Sequence, residues 1–411
     1  MKKDLVTNII IPRSEHNISR SDINPNALQV LYRLKDAGFD AYLVGGCVRD
    51  LLLNLIPKDF DVATNAAPEQ VRKLFNNCRL IGRRFRLAHI YFGKQIIEVA
   101  TFRGKTQHHH AETGMILRDN IYGTIEEDAR RRDFTINALY YNIKNLSIVD
   151  YTGGIQDLKQ KVIRVVGDPV HSYHEDPVRM LRALRLAAKL NFSLAQTTEE
   201  PILTLAGLLQ NVPRARMFDE IIKWFFSGNS LAAFKLLRRH GLFAVLFPQV
   251  EANLIESKNE TLIIQGFTNT DKRIAEHMSL NPAFLFAMLL WQPLQKKMQQ
   301  YQENGQKLFP SLQLAMKEIL HQQTEHIAIP RRFKLMIKEI WVLQYRLQQN
   351  NPRRIHQALH HPLFRAGYDF LLLRAETGER VKTIASWWTK FQEADDQTRT
   401  QMIKSRSNKR S

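Results

Sequence analysis

Residues Tyr42 to Asp61 read YLVGGCVRDLLLNLIPKDFD, and their order points to phosphate chemistry. A short apolar run, Tyr42-Leu43-Val44, meets Gly45-Gly46, and a helix-like run with Arg49-Asp50 in its first turn follows. Glycines let a backbone approach a ligand closely, and free N–H groups at a helix start attract phosphate. Asp59 and Asp61 close the stretch. On a strand they share a face, because side chains alternate with period two. Two carboxylates beside a phosphate-binding turn suit a pair of Mg²⁺ ions. A lone Gly-Gly or a lone Asp-x-Asp is common by chance, so their order and short separation carry the signal.

Two further clusters have the same flavour. Arg131-Arg132-Asp133 precedes Asn137, and residues four apart on a helix share a face, so Asp133 and Asn137 are expected to point into one site. Asp176, Arg179, Arg182 and Arg185 recur every three residues, a charged ridge opposite a leucine stripe. Guanidinium and carboxylate groups of this kind read the hydrogen-bonding edge of a base or clamp phosphates. Each cluster also has a bland reading, as a salt-bridged or solvated helix face. Cys47 lies in the glycine turn without a suggested histidine partner, and reads as a small filler rather than a nucleophile.

The elements that must position these groups fall into two parts. Residues 1–22 read as polar and frayed or loosely docked. Asn24-Pro25 opens an amphipathic helix through Leu28, Val30, Leu31 and Leu34. A strand Ala41–Val44, a helix Val48–Leu55, a strand Asp59–Ala63 and a short helix from Pro68 are expected next. The runs Leu80-Ile81, Leu87–Phe92 and Ile96–Phe102 are rich in β-formers, with Gly93-Lys94 as a hairpin turn. His108-His109-His110 reads as an exposed loop rather than a metal site. A helix is expected over Ile125–Asn142, then a strand Ser147–Asp150. This makes a small mixed sheet of four or five strands with helices on one face. After Asp176-Pro177 the period is helical nearly to the end, and tryptophans 224, 291, 341, 387 and 388 read as core. The tail from Lys404 reads as basic and disordered. The expected domains are an extension (1–22), an α+β head (23–150), a helical neck binding nucleotide and RNA (151–250), a helical RNA-binding body (251–395) and a basic tail (396–411).

The chain of 411 residues carries 59 Lys and Arg against 40 Asp and Glu, a net charge of +19. Such an excess implies a polyanionic partner. No apolar segment is long enough to span a membrane, and the N-terminus lacks the apolar region of a signal peptide, so nucleic acid leads. Two cysteines make neither a disulfide framework nor a zinc site and fit a reducing, cytoplasmic setting. The absence of GxxxxGK[ST] and GxGxxG argues against an ordinary P-loop ATPase and a dinucleotide enzyme.

Taken in order, YLVGGCVRDLLL…KDFDVAT, RRDFTINAL and EDPVRMLRALR resemble the class II nucleotidyltransferases of the polymerase-β superfamily, which comprise CCA-adding enzymes and poly(A) polymerases. The segment Leu80–Ile90, LIGRRFRLAHI, with Ile96–Arg103, is similar to the stretch that distinguishes the poly(A) branch. The resemblance implies an α+β nucleotidyltransferase head followed by an all-α body. It implies template-independent transfer of AMP from ATP to RNA 3′ ends, releasing pyrophosphate, with CCA addition to tRNA as runner-up. A non-catalytic RNA-binding protein is the third reading. In that family pattern Asp59 and Asp61 hold two Mg²⁺ ions, Asp133 is the third active-site carboxylate, and Glu98 competes for that role. Gly45, Gly46 and Arg49 hold the triphosphate, Arg132 and Asn137 contact the nucleotide, and Asp176 and Arg179 read the base edge. Arg182 and Arg185 lie against the ribose or phosphates. RNA 3′ ends and ATP are the implied partners, and the resemblance extends the expected partners to proteins of RNA decay.

Overall fold

The structure, a computed structural model, describes residues 8–82, 86–104 and 122–407. Residues Arg83-Arg84-Phe85 of the branch-distinguishing segment, the triple histidine and the last four residues of the basic tail lie outside the described residues. The chain forms two compact units, Met1–Ile202 and Leu203–Ser411.

The first unit is built on an eight-stranded mixed sheet among the described residues. Its strands are β1 (Ile9–Ile11), β2 (Ala41–Val44), β3 (Asp61–Thr64), β4 (Cys78–Ile81), β5 (Leu87–Phe92), β6 (Gln95–Thr101), β7 (Leu139–Asn142) and β8 (Ile148–Asp150). They lie in the order β1-β8-β7-β2-β3-β6-β5-β4, with β3 and β6 parallel and the other neighbours antiparallel. Gly93-Lys94 is the expected hairpin turn: Phe92 pairs with Gln95, and Gly93 takes φ +60°. The helices of this unit include α1 (Pro25–Asp36), α2 (Gly46–Leu52), α3 (Pro68–Leu74), α4 (Ile125–Arg130), α5 (Gly154–Gln160), α6 (Pro169–Glu175) and α7 (Val178–Leu190).

Alternation along the strands divides the apolar side chains into two layers. Leu43, Val62, Tyr141 and Ile148 join α1 and α3 in the larger core. Their neighbours Val44, Ala63, Tyr140 and Val149 face the other way and pack with Phe102 and with Ala129 of α4. Helices therefore cover both faces, not one. The sheet is also wider than expected. The extension is not frayed over its described part: β1 adds an edge to β8, Ile18 is buried, and His16 Nε2 bonds the Leu146 carbonyl at 2.8 Å.

Three other boundaries differ. α2 begins at Gly46 and ends at Leu52, leaving Ile56 fully exposed. Strand β3 starts at Asp61, so Asp59 precedes it. The expected helix over 125–142 is α4, a turn, a short 3₁₀ segment Thr135–Asn137 and then β7. Tertiary bonds explain the break. Thr135 N donates to the Arg164 carbonyl, and Val166 N donates to the Asp133 carbonyl, so this backbone is satisfied by another segment rather than by its own helix.

The second unit is helical. Its helices include Arg214–Phe225, Ser230–Arg239, Leu308–His326, Arg331–Arg346 and Lys382–Glu393, in keeping with the helical period expected after Asp176-Pro177. Tryptophans 224, 291, 341 and 388 are buried, and three donate from Nε1: Trp291 to Glu379 Oε1, Trp341 to the Ala287 carbonyl and Trp388 to the Leu347 carbonyl. The tail is helical through Ser407 rather than disordered, because Arg406 is buried over the Trp387 ring and donates to Asn350 Oδ1 and the Leu347 carbonyl.

Candidate active site

One transverse row of the sheet assembles the centre. Pairing sets Tyr140 beside Val44, Val44 beside Asp61, Asp61 beside Glu98, and Glu98 beside His89. All lie on the face opposite the larger core. Directly after Val44 the chain turns at Gly45, which adopts φ +80° and ψ −138°, a conformation that essentially only glycine takes up. A side chain there would stand 3.5 Å from Arg132 Nη1 and 3.8 Å from Asp61 Oδ2. The turn is thus kept open between a cation and a carboxylate. Beyond Gly46, Arg49 folds back so that its Nη2 lies 3.5 Å from where a Gly46 Cβ would be.

Asp61 stands among acids. Burial, then the charges of Glu98 and Asp59, push its carboxyl up to about 6, with Arg132 opposing them. Glu98 reaches His89, Nε2 to Oε1 at 3.5 Å, and remains about half exposed. Asp59 is exposed at the edge of the same site. Acids crowded together in this way repel one another, and a nearby cation would relieve them. Among the described residues, no three His, Cys, Asp or Glu side chains form a closed metal cage. An open pair of carboxylates is nevertheless the donor set Mg²⁺ uses when substrate phosphates complete its shell.

Asp133 is differently placed. Its Oδ1 accepts from Phe134 N at 2.8 Å and from Asn137 Nδ2 at 3.1 Å, while Arg182 Nη2 lies 2.6 Å from Oδ2. Asn137 Oδ1 in turn accepts from Arg49 Nη1 at 2.7 Å. Arg49 also grips Asp50 Oδ1 through Nε and Nη2, at 2.8 and 2.6 Å, and Lys189 approaches Asp50 Oδ2 at 3.5 Å. Arg182, Asp133, Asn137, Arg49, Asp50 and Lys189 therefore form one chain of charge-assisted contacts. It joins α7 to α2 and brings all three sequence clusters together. Arg182 meets a carboxylate of its own chain through Nη2, and its side chain stays partly exposed.

At the other end of α7, Arg179 Nη1 donates to Ser172 Oγ at 2.7 Å and to Glu175 Oε2 at 2.8 Å, and Asp176 Oδ1 accepts from Val178 N. Asp176 and Arg179 are partly exposed, at the junction of α6 and α7. Arg185 lies on the same ridge, partly buried. Cys47 is buried filler, its Sγ donating to the Val44 carbonyl at 3.2 Å and its thiol pushed up to about 12 by burial. The sequence reading missed Asp128, Tyr140, Lys189 and Ser172. Asp128 had a legible signal, its i,i+4 spacing to Arg132; the other three are set by tertiary packing.

Comparison with known proteins bears on this geometry. Residues 41–164 match a family described as "Poly A polymerase head domain", residues 191–254 "Probable RNA and SrmB- binding site of polymerase A", and residues 304–411 "Polymerase A arginine-rich C-terminus". The chain is 51% identical over 397 residues to the poly(A) polymerase I of Salmonella typhi, covering 93% of this chain and 85% of the relative. It is 47% identical over 408 residues to that of Haemophilus influenzae, covering 96% and 90%. The CCA-adding enzyme of Lactobacillus helveticus is 39% identical over 217 residues, covering 52% of this chain and 53% of the relative. Among solved structures, a tRNA nucleotidyltransferase complexed with a primer tRNA and an incoming ATP analog has a TM-score of 0.55 at 26% identity, covering 89% of this chain and all of its own. The Bacillus stearothermophilus CCA-adding enzyme in complex with CTP has a TM-score of 0.56 at 24% identity, covering 93% and 82%, a likeness of fold alone.

Proposed function

This chain belongs to the poly(A) polymerase I family, and we propose that it transfers AMP from ATP to RNA 3′ ends without a template, releasing pyrophosphate. The observation that carries the choice of reaction is coverage: similarity to poly(A) polymerases runs through both units, whereas the CCA-adding relative matches about half of the chain. Net charge +19 supports RNA as the polyanion. The description matched by residues 191–254 supports RNA and a protein partner as ligands of that segment. No helix among the described residues is long and apolar enough to cross a membrane; we place the enzyme in the cytoplasm, where two free cysteines persist.

Asp59 and Asp61 are our metal ligands, with Glu98 as the third carboxylate, because it neighbours Asp61 while Asp133 is ion-paired with Arg182 and hydrogen-bonded to Asn137. Bound there, two Mg²⁺ ions would activate the RNA 3′-hydroxyl and offset charge on the α-phosphate and the leaving pyrophosphate. The chain's own part is to orient. The Gly45 turn admits the triphosphate, and Arg49 and Arg132 flank it as fixed donors. Asn137 holds Arg49, and Asp133 holds Asn137. Asp176 and Arg179 lie at the junction that would meet the base edge, with Arg179 steadied by Glu175.

The direct test incubates the full chain with Mg²⁺, a generic RNA oligonucleotide and each nucleotide separately. A long ladder with ATP alone is expected. Two or three additions that require CTP would establish CCA addition instead, and RNA retention without any incorporation would leave a binding protein.

A further inference from the structure

Arg132 is held by a closed triangle. Its Nε donates to the Tyr140 hydroxyl at 2.9 Å and its Nη2 to Asp128 Oδ2 at 3.0 Å, while the Tyr140 hydroxyl donates to the same Oδ2 at 2.6 Å. Both anchors are themselves fixed. Asp128 Oδ1 accepts from Arg103 N, and α4 beneath it is closed by a Thr124–Glu127 capping box. The fully buried Tyr140 ring sits edge-on to Tyr42 and Phe102, at 6.1 and 6.5 Å between centroids, and pairs in β7 beside Val44. Burial opposes the charge on Arg132, yet Tyr140 and Asp128 hold its guanidinium above the ordinary arginine value.

The triangle leaves the Nη1 edge directed at the Gly45 turn, where Asp61 Oδ2 also converges. A free guanidinium so near a carboxylate would take it in a two-pronged grip, which needs two adjacent donors. With Nε and one N–H of Nη2 committed to Tyr140 and Asp128, the side-on Nε/Nη2 grip is closed to Asp61, and the Nη1 N–H groups are left for the turn. The cation stays within reach of phosphate, and Asp61 stays available.

We propose that Tyr140 and Asp128 are positioning residues that set the rotation of the Arg132 guanidinium, turning Nη1 toward the polyphosphate of the incoming nucleotide and keeping Arg132 off Asp61. This rests on the reading of Arg132 as a nucleotide contact. Neither residue touches substrate; both act through Arg132.

Steady-state kinetics of the full chain with ATP and Mg²⁺ varied separately test it, using Tyr140→Phe, Asp128→Asn, Arg132→Lys and the Tyr140→Phe/Arg132→Lys double variant. Phenylalanine keeps the ring packing, so Tyr140→Phe should melt within a few degrees of the parent. Its KM for ATP should rise about tenfold, the range of one charge-assisted hydrogen bond mis-set, with kcat changed far less. The Mg²⁺ midpoint should rise as well, as Arg132 falls onto Asp61. Asp128→Asn should shift KM in the same direction. The double variant should be no worse than Arg132→Lys alone, since both changes remove one contact. If Arg132→Lys leaves KM for ATP unchanged, the nucleotide-contact reading of Arg132 falls, and the proposal with it. If Arg132→Lys raises KM but Tyr140→Phe and Asp128→Asn do not, the positioning role alone is overturned. Additive effects in the double variant overturn it too, because Tyr140 would then act by another route.

Discussion

Asp61 and Asp133 belong to the same unit and lie in opposite company. Around Asp61 burial and the charges of Glu98 and Asp59 outweigh the one opposing cation, Arg132, and its carboxyl is pushed up to about 6. Around Asp133 everything is a donor: Phe134 N, Asn137 Nδ2 and Arg182 Nη2. A carboxylate whose charge is already met by an arginine of its own chain, with hydrogen bonds on its other oxygen, gains less from a metal. One crowded by like charges is relieved by binding it. The acids of a site are thus better sorted by what surrounds them than by which motif contains them.

The largest effect expected from this contrast is loss of catalysis in Asp61→Asn. AMP incorporation should fall by about a thousandfold or more, as for removal of a metal-coordinating group, while RNA retention on a filter persists. Normal incorporation by that variant would end the metal assignment. Glu98→Gln and Asp133→Asn sharpen the comparison. Glu98→Gln should cost about a hundredfold in kcat, and Asp133→Asn about tenfold, chiefly in KM for ATP, because Arg49 loses its bracing through Asn137. The reverse ranking, in folded protein, would return the third-carboxylate role to Asp133.

A pH series reads the same difference through stability. The Asp61 carboxyl has a folded-state value near 6 against 3.8 ordinarily, so the metal-free native state binds the extra proton between those values. Its stabilising contribution is present below about pH 4 and is lost as pH rises through 6. Metal-free Asp61→Asn should therefore be more stable than the parent at pH 8, by on the order of 2 kcal/mol, and the gap should close at pH 4. Denaturant melts in EDTA at both pH values would show it, and a gap independent of pH would remove the acid crowding from the account. Smallest is Lys189→Gln. Its 3.5 Å contact with Asp50 is two-fifths exposed on the lysine side, so the melt should move by no more than about 0.5 kcal/mol. A larger loss would show that α7 hangs on this contact rather than on Arg182–Asp133.

Much of this was legible beforehand for definite reasons. Gly45 is required by a backbone conformation other residues resist, and the Asp59–Asp61 pair, Arg49, Asn137 and the α7 ridge announce themselves by type and spacing. Element boundaries were less legible wherever the backbone bonds to a distant segment. RRDFTINAL carries helix-compatible residues, but Thr135 and Val166 bond across to one another's strands of chain and the helix stops at Arg130. Likewise KDFD alternates as a strand should, yet ladder pairing with β2 and β6 begins only at Asp61. The tail's charge reads as disorder until Arg406 finds Trp387 and two acceptors.

The sequence by itself determined the chemistry on offer, acids beside a glycine turn with arginines at set intervals, because residue type and local periodicity are properties of short stretches. Which acid neighbours Asp61, which one Arg182 neutralises, and what aims Arg132 were decided by strand register and helix docking. Those depend on residues tens of positions apart meeting across one sheet, and a Tyr140 hydroxyl becomes an anchor for Arg132 only after β7 has paired beside β2.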